Sequence, residues 1–246
     1  MKIHYYTITT NSFYQYTSLM VKSFIKYSPN DKIYILAIDD IENKIEHPSI
    51  TYLSCQPIID KYISNNINLQ SQMTLSLYCW WIKSRCVDFP ELMDTEYLTY
   101  IDSDILFFKD ISKYINNTIS NNSSTLFYAA NDGRNILTPP LINSGFYFSN
   151  IDKYPFIDLM NSWNHMMLDL LPDRRSYRRT NKLLFKYFDQ TTLKNLLSTD
   201  KYKNYQALDP NIIGYRRYSS NLVLAHYIKT HKHRMASDYR RFIDPS

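Results

Sequence analysis

The first 38 residues constrain the fold more than any other part of the chain. "KIHYYTIT" at 2–9 is a short β-favouring run that stops at Thr10-Asn11-Ser12, residue types suited to capping a helix. Phe13, Tyr16, Thr17, Met20, Phe24 and Tyr27 then recur at helical spacing until Pro29 ends the segment. "KIYILAI" follows as a second apolar strand. Strand, helix and strand at these lengths make a βαβ unit, which implies a parallel sheet with a right-handed crossover. Such a sheet is covered on both faces, and 246 residues with 44% hydrophobic content can supply the cover.

The alternation continues downstream. Residues 71–93 are expected to be helical, 97–101 and 125–130 to be strands, and "INSGFYFS" at 142–149 to be a further strand. A long amphipathic helix is expected over 153–170, with Phe156, Leu159, Met160, Trp163, Met167 and Leu170 on one face. "PDRRSYRRTNK" reads as a basic loop, 190–197 as a short helix and "LVLAHYI" as a late strand. With no internal repeat and no long linker, 1–246 reads as one α/β domain.

Composition narrows the class. The chain has three glycines where average usage of about 7% would give roughly 17, and no Gly-x-Gly-x-x-Gly follows the first strand, which argues against a dinucleotide site. Cys55, Cys79 and Cys86 are odd in number and lack Cys-x-x-Cys spacing, so neither a disulfide framework nor a zinc site is expected. No run of about 18 uncharged apolar residues is present, and the N-terminus reads as a strand, so a cytoplasmic location is expected. Residues 1–150 carry 11 Lys/Arg against 14 Asp/Glu, whereas 151–246 carry 17 against 9. The second half is the basic one.

"YLTYIDSDILFFKD" at 97–110 carries the chemistry. If the strand runs through Asp102 and Asp104, the two carboxylates project to one face. Like charges so close in a partly buried setting either raise one pKa or recruit a cation. Open α/β sheets bind ligands outside the carboxyl ends of their strands, where this pair falls. An isolated Asp-x-Asp also suits a solvated turn; the preceding apolar strand and the Phe107-Phe108 pair favour the metal.

The same stretch resembles the Asp-x-Asp segment of nucleotide-sugar glycosyltransferases of the GT-A fold, especially family eight, the group of glycogenin and bacterial lipooligosaccharide galactosyltransferases. That resemblance implies a mostly parallel central sheet flanked by helices, with 1–130 as the nucleotide-binding half and 131–246 as the acceptor-side half. It also implies Mn²⁺ or Mg²⁺ held by Asp102, Asp104 and His226, with Ser103 beside the donor. The family's late His-x-x-Gly-x-x-Lys motif is matched by "HYIKTHK", with His226 first, Lys229 in the glycine position and Lys232 in the lysine position; the trailing Pro-Trp is missing. "LINSGFYFSNIDKY" resembles the family's Asn-Ser/Ala-Gly strand and implies that Asn143, Ser144 and Gly145 lie near the donor sugar or acceptor. "FDQTTLKNLL" resembles its Asp-Gln helix start, implying catalytic roles for Gln190 and Asp189. The opening strand and loop resemble the base-binding segment through Thr9, Asn11 and Tyr14. Lys83 sits where relatives carry a basic residue near the donor, and Asp132 where a carboxylate binds sugar hydroxyls.

The implied activity is metal-dependent, retaining transfer of a sugar from a UDP- or GDP-linked donor to a glycan, glycoprotein or lipid acceptor. Oxygen-rich ligation with one imidazole suits such an ion. Plainer readings stand beside these. A lone His in an apolar strand is most often a core residue, and only its spacing to Lys232 favours a ligand. His231 and His233 read as a solvated tail, Trp80, Trp81 and Trp163 as core, and Asn143 with Gly145 as a bulge. The Arg174, Arg175, Arg178, Arg179 loop reads first as a solvated charge run and second as a contact with an anionic acceptor or membrane surface. Haloacid-dehalogenase-type phosphatases also end a strand in Asp-x-Asp, but continue with Gly-Thr where this chain has Ile105-Leu106. A non-enzymatic, nucleic-acid-binding role for the basic half is the least favoured alternative.

Overall fold

The computed structural model describes residues 1–64, 70, 71, 73–122, 124–131, 142–171, 188–209, 213–215, 220–227 and 231–245. β1 (Ile3–Thr9), α1 (Tyr14–Tyr27) and β2 (Ile33–Ala37) form the expected βαβ unit, with Tyr5 to Thr9 paired in parallel to Ile33 to Ala37. β3 (Ile50–Ser54) extends the sheet on that side, and β4 (Tyr97–Ile101) pairs in parallel on the other. β6 (Phe127–Asn131), β7 (Ile142–Asn150) and β8 (Tyr205–Ala207) complete a seven-stranded sheet of order β3-β2-β1-β4-β7-β6-β8. Only β7 runs against the others in that sheet. A second, three-stranded sheet joins β5 (Ile105–Phe107), β10 (Leu224–His226) and β9 (Ile213–Tyr215).

Both faces of the large sheet are buried, and strand alternation divides the core between them. Tyr6, Ile8, Tyr34, Leu36, Leu98 and Tyr100 face one layer. Tyr5, Ile33, Ile35, Tyr97 and Ile101 face the other. The first layer is covered by α2 (Leu75–Ser84), through Trp81, and by α4 (Phe156–Leu170), through Trp163. The second takes Met20 and Phe24 from α1 and Ile111 and Ile115 from α3 (Ile111–Asn121). Trp163 has no exposed surface and donates its indole N–H to Asp189 O and Thr192 Oγ1, tying α4 to α5 (Phe188–Leu197). Truncating it to Ala would cost about 3–5 kcal/mol.

Three expectations need correction. The strand does not run through the acidic pair: β4 ends at Ile101, a turn carries Asp102 to Asp104, and β5 starts at Ile105. In the turn each carboxylate meets a lysine of its own, Lys83 for Asp102 and Lys232 for Asp104, and the two share His226, where a continuous strand would stack two like charges. The expected helix over 71–93 is α2 followed by separate short helical turns at 86–88 and 90–93, with Pro90 starting the last. The tail is not a free solvated segment: α6 (Lys232–Asp238) and the turns after it bury Met235 and Ile243 completely, while His233 remains exposed. Among the described residues no helix is long and apolar enough to cross a membrane.

Candidate active site

Strand topology gathers the polar residues. Asp102 follows the carboxyl end of β4, and because β7 is antiparallel to β4, the start of β7 lies beside it. The Asp102 N–H donates to Gly145 O at 2.7 Å. β10 runs antiparallel to β5 with His226 opposite Ile105, and the Tyr227 N–H donates to Asp104 O at 2.8 Å. His226, 122 residues downstream, is thereby delivered to Asp104. β7 breaks register against β6 just where Ser144, Gly145 and Phe146 pass, so the bulge expected at Asn143 and Gly145 exists and turns this segment toward Asp102.

The side chains form a charge cluster. His226 Nε2 lies 2.9 Å from Asp104 Oδ1 and 3.3 Å from Asp102 Oδ2. Lys232 Nζ meets Asp104 Oδ2 at 3.0 Å and stands 3.8 Å above the Phe13 ring. Lys83 Nζ bridges Asp189 Oδ2 at 2.9 Å and Asp102 Oδ1 at 3.1 Å, and Tyr100 donates its hydroxyl to Asp102 Oδ1. Ser144 Oγ donates to Asp189 Oδ2 at 2.8 Å. Asn143 Nδ2 donates to Gln190 Oε1 at 3.1 Å, and Gln190 Nε2 to Ile142 O at 3.0 Å, which fixes the amide at the start of α5.

Burial and pairing oppose each other here, and pairing wins. Burial alone would deprotonate Lys83, but Asp102 and then Asp189 hold its pKa above the ordinary lysine value. Burial would also protonate Asp102; Lys83 and His226 keep it well below the usual carboxylate range. Burial disfavours the His226 imidazolium, yet Asp104 and Asp102 raise its pKa to about 9.

The cluster forms the wall of a cavity of about 540 Å³. Thr9, Lys83, Asp102, Ser103, Asp104, Asn143, Ser144, Asp189, Gln190, His226 and Lys232 all line it. Gly145 lies behind the wall: a Cβ there would stand 2.5 Å from both Asp102 Oδ2 and His226 Cε1. Asn11 and Tyr14 do not line the cavity. Asn11 Oδ1 accepts from the Glu42 N–H at 3.1 Å, and Tyr14 packs with Tyr52 and accepts from the Ile45 N–H at 2.9 Å. Asp132, Lys229 and the Arg174–Arg179 loop lie outside the described residues.

Other cavity residues were not anticipated from the sequence. Tyr100 was legible in principle, since period-2 alternation puts it on the face of Asp102. Phe13, Thr10 and Ser12 were read only as the start of a helix, and nothing in the sequence tied them to the cavity. Trp80 also lines the cavity, whereas Trp81 and Trp163 are core as expected.

No family model matches the chain, and no curated protein does. Solved structures do match. WbbM, a bifunctional glycosyltransferase, superposes with TM-score 0.57 at 9% identity over 98% of this chain and 50% of that one. The galactosyltransferase LgtC in complex with donor and acceptor sugar analogues gives 0.54 at 10% identity, over 98% and 96%. Mouse xyloside xylosyltransferase 1 gives 0.52 at 11%, over 92% and 97%. An active-site mutant of LgtC, with glutamate in place of a glutamine, matches with TM-score 0.53 at 11% identity, over 95% of this chain and 94% of that one. The chain has the GT-A fold. Within that GT-A frame, Asp102, Asp104 and His226 form the one group of potential metal ligands among the described residues, with ligand atoms all within 4.8 Å of one another. Two carboxylates and one imidazole suit a manganese- or magnesium-like ion, and the missing side chain at Gly145 lets Asp102 and His226 close directly over its backbone.

Proposed function

We propose that the chain is a metal-dependent, retaining glycosyltransferase of family-eight type. It would move a hexosyl unit from a UDP- or GDP-linked donor to a glycan, glycoprotein or glycolipid acceptor. The observation that carries this reading is the convergence of Asp102, Asp104 and His226, with Lys83, Asp189 and Gln190, on one cavity at the carboxyl edge of a GT-A sheet. Asp102, Asp104 and His226 would hold Mn²⁺ or Mg²⁺; when bound, the ion supplies Lewis-acid neutralisation of the diphosphate leaving group.

The remaining roles follow from the protein's own groups. Lys232 presents a point charge beside Asp104, at the edge where phosphate oxygens would lie. Lys83 stays charged in a buried site, keeps Asp102 ionised and holds Asp189 in place. Gln190 is held at both ends of its amide, which orients the carbonyl dipole before the sugar arrives. An amide is a poor nucleophile, so Gln190 is assigned to stabilising positive charge at the anomeric carbon and positioning the acceptor, with Asp189 as its support. The active-site glutamine of LgtC supports this assignment. An inverting mechanism would need a free carboxylate base at the acceptor hydroxyl; among the described residues the cavity carboxylates Asp102, Asp104 and Asp189 are all ion-paired, and Asp132, the other carboxylate the sequence offers near the sugar, lies outside them.

A panel of UDP- and GDP-sugars, with and without Mn²⁺, tests the reading by slow donor hydrolysis. At least one donor should be hydrolysed only with metal, and Asp102→Asn and Asp104→Asn should abolish the signal. A flat panel from folded protein would overturn it.

A further inference from the structure

One wall of the cavity is formed by a single helix that meets the charge cluster only at Lys83. Leu75, Ser76, Cys79, Trp80 and Lys83 share one face of α2, and all five line the cavity. Trp80 stands one turn before Lys83. It differs from the other two tryptophans: Trp81 is 2% exposed and donates its N–H to Asn164, while Trp163 is fully buried and donates to Asp189 O and Thr192. Trp80 is only partly buried, and its N–H has no hydrogen-bond partner among the described residues. Its ring also borders a small apolar pocket lined by Phe188, the residue directly before Asp189 and Gln190. Leu75, 49% exposed, carries the apolar wall outward.

A partly exposed indole next to buried polar groups matches a ligand that has an apolar face and a hydroxylated edge. A pyranose ring has both. We propose that Trp80, extended by Leu75, forms a carbohydrate subsite that stacks the C–H face of a pyranose ring beside Gln190. The proposal rests on the glycosyl-transfer reading and adds where the sugar sits. A nucleobase would also stack on indole, but Trp80 shares its apolar pocket with Phe188, two residues before Gln190, and stands one turn before Lys83, which binds Asp189, and that favours the sugar.

Acrylamide quenching of tryptophan fluorescence in the wild-type protein tests this directly, because Trp80 is the tryptophan that solvent reaches. UDP- and GDP-hexoses with Mn²⁺, and free lactose and cellobiose in the presence of Mn²⁺ and the nucleoside diphosphate, are the probes. Protection by a nucleotide sugar beyond that of its nucleoside diphosphate supports the subsite and assigns it to the donor sugar. Protection by the free disaccharide supports it and assigns it to the acceptor. Equal protection by the nucleoside diphosphate alone would mean a stacked base and overturns the proposal. No protection while calorimetry shows nucleotide-sugar binding overturns the subsite alone; no binding in calorimetry either overturns the glycosyl-transfer reading with it. In a second test, Trp80→Ala should weaken sugar binding about tenfold and leave nucleoside diphosphate affinity unchanged, with Trp80→Phe restoring most of the loss. Equal weakening of both ligands would contradict the assignment.

Discussion

A methyl group at position 145 has nowhere to go. The backbone is pinned by the Gly145 O bond to Asp102 N and by the Gly145 N–H bond to Asn143 Oδ1, each 2.7 Å. The added Cβ would stand 2.5 Å from Asp102 Oδ2 and His226 Cε1, so relief requires the two side chains to part. Gly145→Ala should cost about 1–3 kcal/mol of stability as an overpacking change. Manganese affinity, followed by titration of the Mn²⁺ paramagnetic resonance signal, should fall together with it; unaltered affinity would remove these residues from the ligand set. Lys83 is the second sensitive position, because it neutralises two carboxylates at once. Lys83→Met should lower the urea unfolding free energy by about 3–5 kcal/mol. Asp189→Asn in that background should return part of the loss, since a neutral amide no longer needs the cation, giving a clearly non-additive double-mutant cycle.

At the scale of elements, helix α3 depends on its first residues. "ISKYINNTISN" is rich in Asn and β-branched residues, poor helix formers, and only Ile111 and Ile115 are buried. Asp110 compensates by accepting the Lys113 N–H at 2.9 Å, so Asp110→Ala should cost about 1 kcal/mol in urea denaturation. This weakness is also why α3 was not legible in the sequence. β3, with its mixed "ITYLS" burial, and the three-residue β5, β8 and β9 were missed for a related reason: too few residues for a period to emerge. β1, α1 and β2 were legible because their apolar residues recur over whole elements. The site was read as an ordered set of short patterns, and its geometry was not: the turn at Asp102–Asp104 depends on β5 pairing with β10, a contact between distant segments. β1 also carries a pH-sensitive group. His4 lies buried against Tyr34 and Leu92 O, and burial, its main influence, lowers its pKa below 6.5. The unfolded chain therefore binds a proton that the folded strand resists, so stability should fall as pH drops below 6.5 and level off beneath the folded pKa. His4→Gln should flatten that part of the profile; an unchanged profile would place the acid sensitivity elsewhere.

Over the whole molecule, the cavity joins segments from the first strand to the last helix, Thr9 and Phe13 at one end of the chain and His226 and Lys232 at the other. A ligand that spans them stabilises the folded state by mass action, about 2.7 kcal/mol at a hundredfold excess over Kd. Metal and nucleoside diphosphate together should therefore raise Tm more than the sum of their separate effects, whereas a nucleic-acid-binding role for the basic half predicts no such synergy. The most direct test is calorimetric titration of UDP and GDP into wild-type protein and His226→Ala, each with and without Mn²⁺. The account predicts that Mn²⁺ strengthens binding of at least one nucleotide by more than about tenfold in wild type and has no such effect once the imidazole is gone. Nucleotide binding indifferent to both the metal and His226 would contradict it.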